Sequence, residues 1–512
     1  MASRATATRD ATAASRRARG GGAARASAAR RRASGRAASS DVDGTTRARA
    51  RARAFDLGQA IGELARGERG ATLPPGRVGA IGVRETLEYL ADSNGFVRRR
   101  VERYGPVFKT AMFFKPAIVF GGRDAVREFL TFEGELPADE ALPETFRELH
   151  TEYGALRMTG SRHAATRANF GKVLGRAALE SYAPAIGEKT RDFVERLRGK
   201  ETFRPGAECV DFALDLLFEL FLGHVPEAKY KDAMKAYNGG LLSLGKWSSE
   251  FKAGKVALED LTSYVEAHYR GVKARGELDR PEYFFYKQYS QAVDEFGELF
   301  SDDRIATTCV LMVWGSYIEA AALMGHACVL LGEHDDARKA VLREFERVCC
   351  DDENGCRRIG TLTDIMSMQY TSAVAKESLR VMPQTAGGLR VNPSPRKFAS
   401  FDVPAGYVLT ADPRIPFRDE ANFPDPDAFK PERFVPGTSE AKKNDVSSET
   451  YYPGGMGQHQ CPGISLATVM TQIFLAELVS AFPNGWRGKT APKYVQVPIV
   501  ILDREYEIEF LR

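Results

Sequence analysis

Cysteine is scarce in this chain, and the cysteines present follow no pattern. There are seven in 512 residues, at irregular spacings. An odd number without regular spacing argues against a disulfide framework and for a reducing compartment. Cys349, Cys350 and Cys356 lie close together in sequence, but they form no CxxC pair and have no neighbouring histidine. A loop is therefore favoured there over a metal site.

Long apolar runs, internal repeats and nucleotide fingerprints are also lacking. No stretch reaches the roughly 18 apolar residues that a spanning helix requires, so the sequence predicts no transmembrane span. No convincing GxGxxG follows a strand, which argues against a bound flavin or nicotinamide domain.

The first 54 residues contain no lysine and no aromatic residue. They hold fourteen arginines against three acids, Asp10, Asp41 and Asp43, so their net charge is 14 − 3 = +11. Because the whole chain carries +4, the remainder carries 4 − 11 = −7. A body of negative charge gives no reason to expect a nucleic-acid partner. Residues 1–54 cannot bury a core, and we expect them to be disordered.

The composition of this leader is typical of organelle transit peptides, which are rich in arginine and serine and poor in acids. The alternatives are a basic nucleic-acid-binding tail or a segment without consequence. Abundant alanine, serine and threonine favour a plastid over a mitochondrion. The predicted organisation is thus a transit peptide over residues 1–54 and one large domain over 55–512.

The folded part is predicted to be mainly α with small β-sheets. VFKTAMFFKPAIVFGG indicates two short strands joined by a turn at Lys115-Pro116. Helical periodicity dominates from about Asp124 to Arg380, and residues 302–334 form the longest candidate helix, some ~50 Å long and apolar on most faces. After Arg380 the chain becomes strand and loop, before a last helix in GISLATVMTQIFLAELVSAF.

The loop YYPGGMGQHQCPGISLA suggests a reactive cysteine, Cys461. Glycines at 455, 457 and 463 permit close backbone approach and positive φ angles, and Pro462 suits the first turn of a helix. A cysteine just before a helix faces amide donors and the positive end of the helix dipole, which favours the thiolate. Axial ligation of heme iron needs such a thiolate. The alternative is a buried, inert cysteine.

GxGxHxCxG, with His459 before Cys461, resembles the cysteine-ligand loop of the cytochromes P-450. KESLR, with Glu377 and Arg380, and PDAFKPERF, with Arg433, resemble the structural Glu-Arg-Arg triad of that family. The resemblance covers about residues 73–512 and implies a heme b cofactor held by Cys461 beneath a long central helix. Residue 454 departs from the pattern, being Gly where the family usually has Phe.

Three further basic residues complete the predicted heme site. His163 and Arg167 in SRHAATR are spaced i, i+4, which for the motif alone favours a solvated basic face, but the resemblance implies that both bind a heme propionate. Arg390 in TAGGLR matches the second propionate arginine of the family, and arginine suits a carboxylate because its hydrogen bonds are bidentate. The sequence motif GGLR is most similar to that of the retinoic-acid and sterol hydroxylase branch.

The long helix departs from the family at its catalytic positions. Monooxygenases of the family usually carry Ala/Gly-Gly-x-Asp/Glu-Thr, whose acid and hydroxyl deliver protons to dioxygen. The corresponding sequence of this chain is VWGSYIEAAALM. Two alignments with the family motif are possible. If the acids are aligned, Glu319 is the acid and Ala320 occupies the threonine position. If the alignment is counted back from the helix end at His334, Glu319 itself occupies the threonine position. Ser316 is the nearest hydroxyl.

The resemblance implies a monooxygenase that oxidises a lipophilic substrate such as a sterol, a terpenoid or a fatty acid. Its electrons would come from a separate reductase or ferredoxin. The missing threonine keeps a second hypothesis open, a fatty-acid hydroperoxide isomerase or dehydratase similar to the allene oxide synthases, which needs no reductase. A third is a non-catalytic heme-binding homologue.

Overall fold

The computed structural model describes residues 72–79, 82–243, 245–351, 357–359, 361–496 and 499–511. The predicted leader, residues 1–54, lies outside the described residues, as does Cys356. The contacts among Gly70–Arg512 join this part of the chain into one unit.

Helices dominate the described residues, as the sequence predicts. In chain order they are α1 (Val83–Ala91), α2 (Ser93–Tyr104), α3 (Arg123–Glu133), α4 (Glu144–Leu149), α5 (Gly160–Leu174), α6 (Arg176–Arg198), α7 (Pro205–Leu222), α8 (Ala228–Leu241), α9 (Ser249–Ala274), α10 (Phe284–Tyr289), α11 (Asp302–Glu333), α12 (Asp335–Val348), α13 (Leu362–Ser367), α14 (Gln369–Val381) and α15 (Ile464–Ala481).

The strands are short and belong to small sheets. They are β1 (Val107–Met112), β2 (Lys115–Phe120), β3 (Thr202–Phe203), β4 (Cys350–Asp351), β5 (Arg357–Arg358), β6 (Arg390–Val391), β7 (Arg396–Phe398), β8 (Phe401–Val403), β9 (Val408–Ala411), β10 (Trp486–Gly488), β11 (Tyr494–Val495), β12 (Ile501–Leu502) and β13 (Ile508–Phe510). The largest sheet has the order β1-β2-β9-β6, in which only the β2–β9 pair is parallel. A second has the order β10-β13-β3, and β4–β5, β7–β8 and β11–β12 form hairpin pairs.

The long helix α11 confirms the prediction for residues 302–334 to within one residue. Its 32 residues span about 48 Å. Ser301 caps it by accepting the N–H of Arg304, and Asp302 and Asp303 place negative charge at the positive end of the dipole. It packs against α7, α9 and α15, so its apolar surface is covered on several sides.

Two helices, α11 and α15, are long and apolar enough to cross a membrane by length and composition, with mean hydropathies of 1.4 and 1.6. The expectation that no stretch would reach this length was therefore wrong. Most of each apolar window, 72% and 67%, is buried inside the protein. A buried core helix passes the same test of length and composition as a membrane span.

The turn between β1 and β2 lies two residues earlier than predicted. Phe113 and Phe114 form it, with φ of +50° and +63°, whereas Lys115 and Pro116 belong to β2. Pro116 is tolerated because the bonds from β2 to β9 begin only at Ala117. The strained tip is stabilised by α1, since the N–H of Phe114 donates to the Thr86 hydroxyl at 2.9 Å. The proline signal alone therefore predicted the turn two residues too late.

The predicted Glu-Arg-Arg triad is confirmed as a buried network. Glu377 accepts from Arg380 at 2.7 and 2.8 Å and from Arg433 at 3.3 Å, and all three are at most 1% exposed. Arg380 also donates to the backbone carbonyls of residues 417, 426 and 428. The triad thus fastens α14 to the loop segment that precedes Cys461.

Candidate active site

Cys461 lies in a tight loop between a short 3-10 turn, Gly457–His459, and α15. Gly455 and Gly457 have φ of +73° and +70°, which confirms the predicted need for glycine at both positions. The N–H of Cys461 donates to the carbonyl of Gly454 at 2.7 Å, which closes the loop. The backbone therefore holds the cysteine in a fixed orientation.

The helix after Cys461 begins later than predicted. It starts at Ile464 with Gly463 as the N-cap, so Pro462 lies before the helix and not in its first turn. Gly463 has φ of −91°, so the predicted positive φ is wrong at this one glycine. The later start still favours the thiolate, because the backbone amides of Gly463 and Ile464 lower the pKa of the Cys461 thiol.

The departure at residue 454 has a local cause in this loop. A Cβ placed on Gly454 would lie 3.0 Å from the Cβ of Cys461, which is tighter than ordinary contact. The loop therefore approaches the cysteine closely with its backbone at this position, and no aromatic ring covers the sulfur from residue 454.

Four basic side chains from three parts of the chain meet near this loop. His163 and Arg167 lie on α5, Arg390 begins β6, and His459 ends the 3-10 turn before Cys461. The rings of His163 and His459 stack, with centroids 3.8 Å apart and planes at 19°. The structure thus brings together all four basic residues that the sequence singled out.

The cluster is electrostatically unfavourable for further positive charge. Burial, followed by Arg167 and Arg390, lowers the pKa of His163 to about 4. Burial, followed by Arg390, His163 and Arg167, lowers the pKa of His459 to about 3. No carboxylate of the described residues is among the causes of these shifts. Both imidazoles are therefore neutral near pH 7, and the cluster can accept a bound anion.

The middle of α11 has an accessible face near Glu319. The helix is buried along most of its length, but Gly315 is exposed and Ser316, Ile318 and Glu319 are half-buried. Spacings of three and four residues put these positions on the same face. Ala320 is only 2% exposed and is buried in the core. Of the two predicted positions, the acid thus lies on the accessible face and the alanine does not.

The carboxyl of Glu319 acts electrostatically on the thiol of Cys461. Burial raises the pKa of the Glu319 carboxyl to about 7, partly offset by its own backbone N–H. Burial also raises the pKa of the Cys461 thiol, its backbone amides lower it, Glu319 raises it and Arg167 lowers it. Both residues have accessible surface, yet burial is the first cause of the pKa shift in each case, because many protein atoms lie around each group.

Two residues near this face were missed in the sequence. Gln384 donates from Nε2 to the backbone carbonyl of Glu319 at 2.9 Å. Trp314 donates its indole N–H to Asn238 on α8 at 3.0 Å and packs edge-on against Phe146 and His150. No local pattern signals these contacts, since each joins residues 65 or more positions apart along the chain.

The donor set fits a heme. A thiol supplied with backbone amides suits axial ligation of iron. Two neutral imidazoles beside the guanidiniums of Arg167 and Arg390 suit the two propionates. The accessible face of an otherwise apolar helix would border the bound group.

Comparison with known proteins agrees with this arrangement. A family model for cytochrome P450 matches residues 85–510. Cytochrome P450 26B1 of Danio rerio is 25% identical over 444 residues, which cover 84% of this chain and 84% of that protein. Taxoid 7-beta-hydroxylase of Taxus cuspidata is 25% identical over 429 residues, covering 80% of this chain and 83% of that protein.

A solved structure shares the fold. The retinoic-acid-bound cyanobacterial CYP120A1 superposes with a TM-score of 0.74 at 24% identity, covering 86% of this chain and 100% of that chain. The matched region includes α11, the buried triad and the cysteine loop, because the family model extends over nearly all described residues. The chain therefore belongs to the cytochrome P450 family and is a heme-iron oxidoreductase of the monooxygenase class.

Proposed function

We propose that this protein is a heme b monooxygenase that hydroxylates a lipophilic isoprenoid or related lipid, using dioxygen and electrons from a separate reductase or ferredoxin. The observation that carries the proposal is the half-buried position of Glu319 on α11, from which its charge acts on the thiol of Cys461. An ionisable group opposite a thiolate is the arrangement that a proton-coupled oxidation needs.

Bound heme would supply the reduction and cleavage of dioxygen. Cys461 would ligate the iron, with its charge tuned by the amides of Gly463 and Ile464. His163, Arg167, Arg390 and His459 would bind the propionates. Neutral imidazoles beside two guanidiniums offer hydrogen bonds and net positive charge, and both features stabilise carboxylates.

Glu319 would hold and deliver protons at its carboxyl group. A pKa of about 7 leaves this group partly protonated at neutral pH, which is the range in which a general acid works well. Ser316 lies on the same face, less than one turn away, and would relay a proton by its hydroxyl. Ala320 is buried and would take no part. This arrangement favours the alignment that puts Glu319 at the threonine position.

The relatives support a lipophilic substrate. Two similar proteins of Taxus cuspidata are named as taxane hydroxylases, and the structural neighbour was solved with retinoic acid. Trp314, next to Gly315 on α11, packs edge-on against Phe146 of α4 and against His150, which follows α4. Rings of this kind contact hydrocarbon well, because they bury large apolar areas.

The test is a screen of lipid classes for ligand-induced shifts of the Soret band, followed by turnover assays on the ligands found. We expect product to form with reduced nicotinamide, dioxygen and an added reductase, and to stop when the reductase is omitted. Turnover of a fatty-acid hydroperoxide without reductase, and no turnover with it, would instead support the isomerase hypothesis. The absence of a threonine at the accessible face favours that second candidate. Inactivity under both conditions would indicate a non-catalytic homologue.

For residues 1–54 we propose a transit peptide that directs the enzyme to an organelle, with a plastid favoured. Its support is the charge of +11 without lysine or aromatic residues. Fused to a fluorescent protein, these residues should carry it into a plastid or mitochondrion. A matched fusion with the arginines replaced by glutamine should stay in the cytosol. A diffuse or nuclear signal from the native leader would contradict the proposal.

A further inference from the structure

Gln384 joins three parts of the protein. It follows the end of α14 by three residues, and its side chain is half-buried. The side-chain amide donates to the backbone carbonyl of Glu319 on α11 at 2.9 Å. The backbone carbonyl of Gln384 accepts the N–H of Val500, beside β12, at 2.9 Å. One residue thus links α11 to the hairpin of β11 and β12.

The bond to Glu319 is unusual because it comes from outside the helix. The carbonyl at position i of an α-helix normally accepts only from residue i+4, and its second lone pair stays available. Gln384 uses that second lone pair. Since the Glu319 side chain leaves the backbone at the atom next to this carbonyl, the bond fixes the rotation of the helix at the carboxyl-bearing residue.

The segment that carries Gln384 is itself held firmly. The Thr410 hydroxyl donates to the carbonyl of Ala386 at 3.0 Å. Gly387 has φ of +83° and approaches Ala411 so closely that a Cβ would lie 2.3 Å from its carbonyl oxygen. Arg390, in the basic cluster, follows on β6, which pairs with β9. The segment that anchors the backbone of Glu319 is therefore the same rigid segment that bears Arg390.

We propose that Gln384 is a positioning residue that orients the carboxyl of Glu319 towards the space facing Cys461, by anchoring the carbonyl of Glu319 to the segment that carries Arg390. This inference rests on the role of Glu319 in the proposed function. Gln384 itself transfers no proton, because an amide neither gains nor loses one at ordinary pH.

The test uses carbon monoxide as a probe in the reduced holoenzyme, because its infrared stretching band responds to nearby dipoles. Glu319→Gln should shift this band. Gln384→Met, which keeps the length of the side chain but loses the donor, should shift or split it because the carboxyl takes more than one orientation. Gln472→Met is the matched control, since Gln472 also donates to backbone carbonyls, those of Ile365 and Met368. Its band should match that of the unmodified protein.

A double variant separates positioning from direct contact. If Gln384 acts through Glu319, Glu319→Gln/Gln384→Met should give the band of Glu319→Gln alone, whereas a direct effect would add to it. Reductase-driven product formation should fall in Gln384→Met by up to about 10²-fold, as expected for a misplaced catalytic group. Gln384→Leu also removes the donor without adding a charge, so it gives the same test if Gln384→Met fails to bind heme.

The outcomes distinguish this inference from the proposed function. A band that moves in Glu319→Gln but not in either Gln384 variant overturns the inference alone. An additive double variant overturns it as well. A band that moves as expected in an enzyme without reductase-dependent product overturns the proposed function and leaves the positioning of Glu319 by Gln384 supported. A band unmoved by Glu319→Gln overturns both.

Discussion

Cys461→His is expected to abolish the red-shifted Soret band of the reduced carbon-monoxide complex while part of the heme stays bound. The band depends on a thiolate, and an imidazole ligand is a neutral donor. The amides of Gly463 and Ile464 that favour the thiolate would find no anion on the new side chain. The basic cluster is unchanged in this variant and would still bind the propionates.

The control is Cys309→Ala, in α11. Its thiol is fully buried, and burial raises its pKa, so it supplies no thiolate to a ligand. This variant should keep the red-shifted band in full, at some cost in stability from the lost core contact. Retention of the thiolate spectrum in Cys461→Ala would show that a different residue ligates the iron.

Glu319→Gln is expected to lower the rate of product formation by about 10²–10⁴-fold, the usual value of a positioned proton donor. The amide keeps the size of the side chain but cannot deliver a proton. Reducing equivalents would then be lost as hydrogen peroxide, and an added organic peroxide should restore part of the turnover. The measurement is product formed per reduced nicotinamide consumed, together with the peroxide released.

The pH dependence gives a second measure of the same group. Because the acid form of Glu319 supplies the proton and its pKa is about 7, product per nicotinamide should fall as pH rises through 7. That dependence should be absent in Glu319→Gln. Ala320→Thr is the control, since Ala320 is buried and a threonine there does not reach the accessible face. Better coupling in Ala320→Thr, with no loss in Glu319→Gln, would reverse the assignment of the two positions.

Much of the fold was predictable because its sequence signals come from residues that lie close together along the chain. The length of α11 followed from its helical periodicity and its apolar character on most faces. The pairing of Glu377 with Arg380 followed from their spacing on one helix face. The positive φ angles at Gly455 and Gly457 followed from the requirement for glycine in a tight loop.

The remainder depends on contacts between distant segments. The turn at Phe113 and Phe114 is stabilised by Thr86, so turn propensity within the hairpin could not locate it. The stacking of His163 on His459 joins residues almost 300 positions apart. The bond from Gln384 to Glu319 likewise requires α14 and α11 to be packed first. Residue types indicated which side chains belong to the site, but only the packed structure shows how they are oriented.

The buried triad has a consequence for how this protein loses its structure. Glu377 and Arg433 lie 56 positions apart, and the carbonyls that satisfy Arg380 come from the intervening loop segment. If that segment detached alone, the Glu377–Arg380 pair would lose Arg433 and the carbonyls that complete its hydrogen bonds, which costs several kcal/mol. Partly unfolded forms with α14 intact are therefore disfavoured, and this half of the protein should melt in one cooperative step. The cysteine loop, which follows the same segment, would then keep its shape until that step.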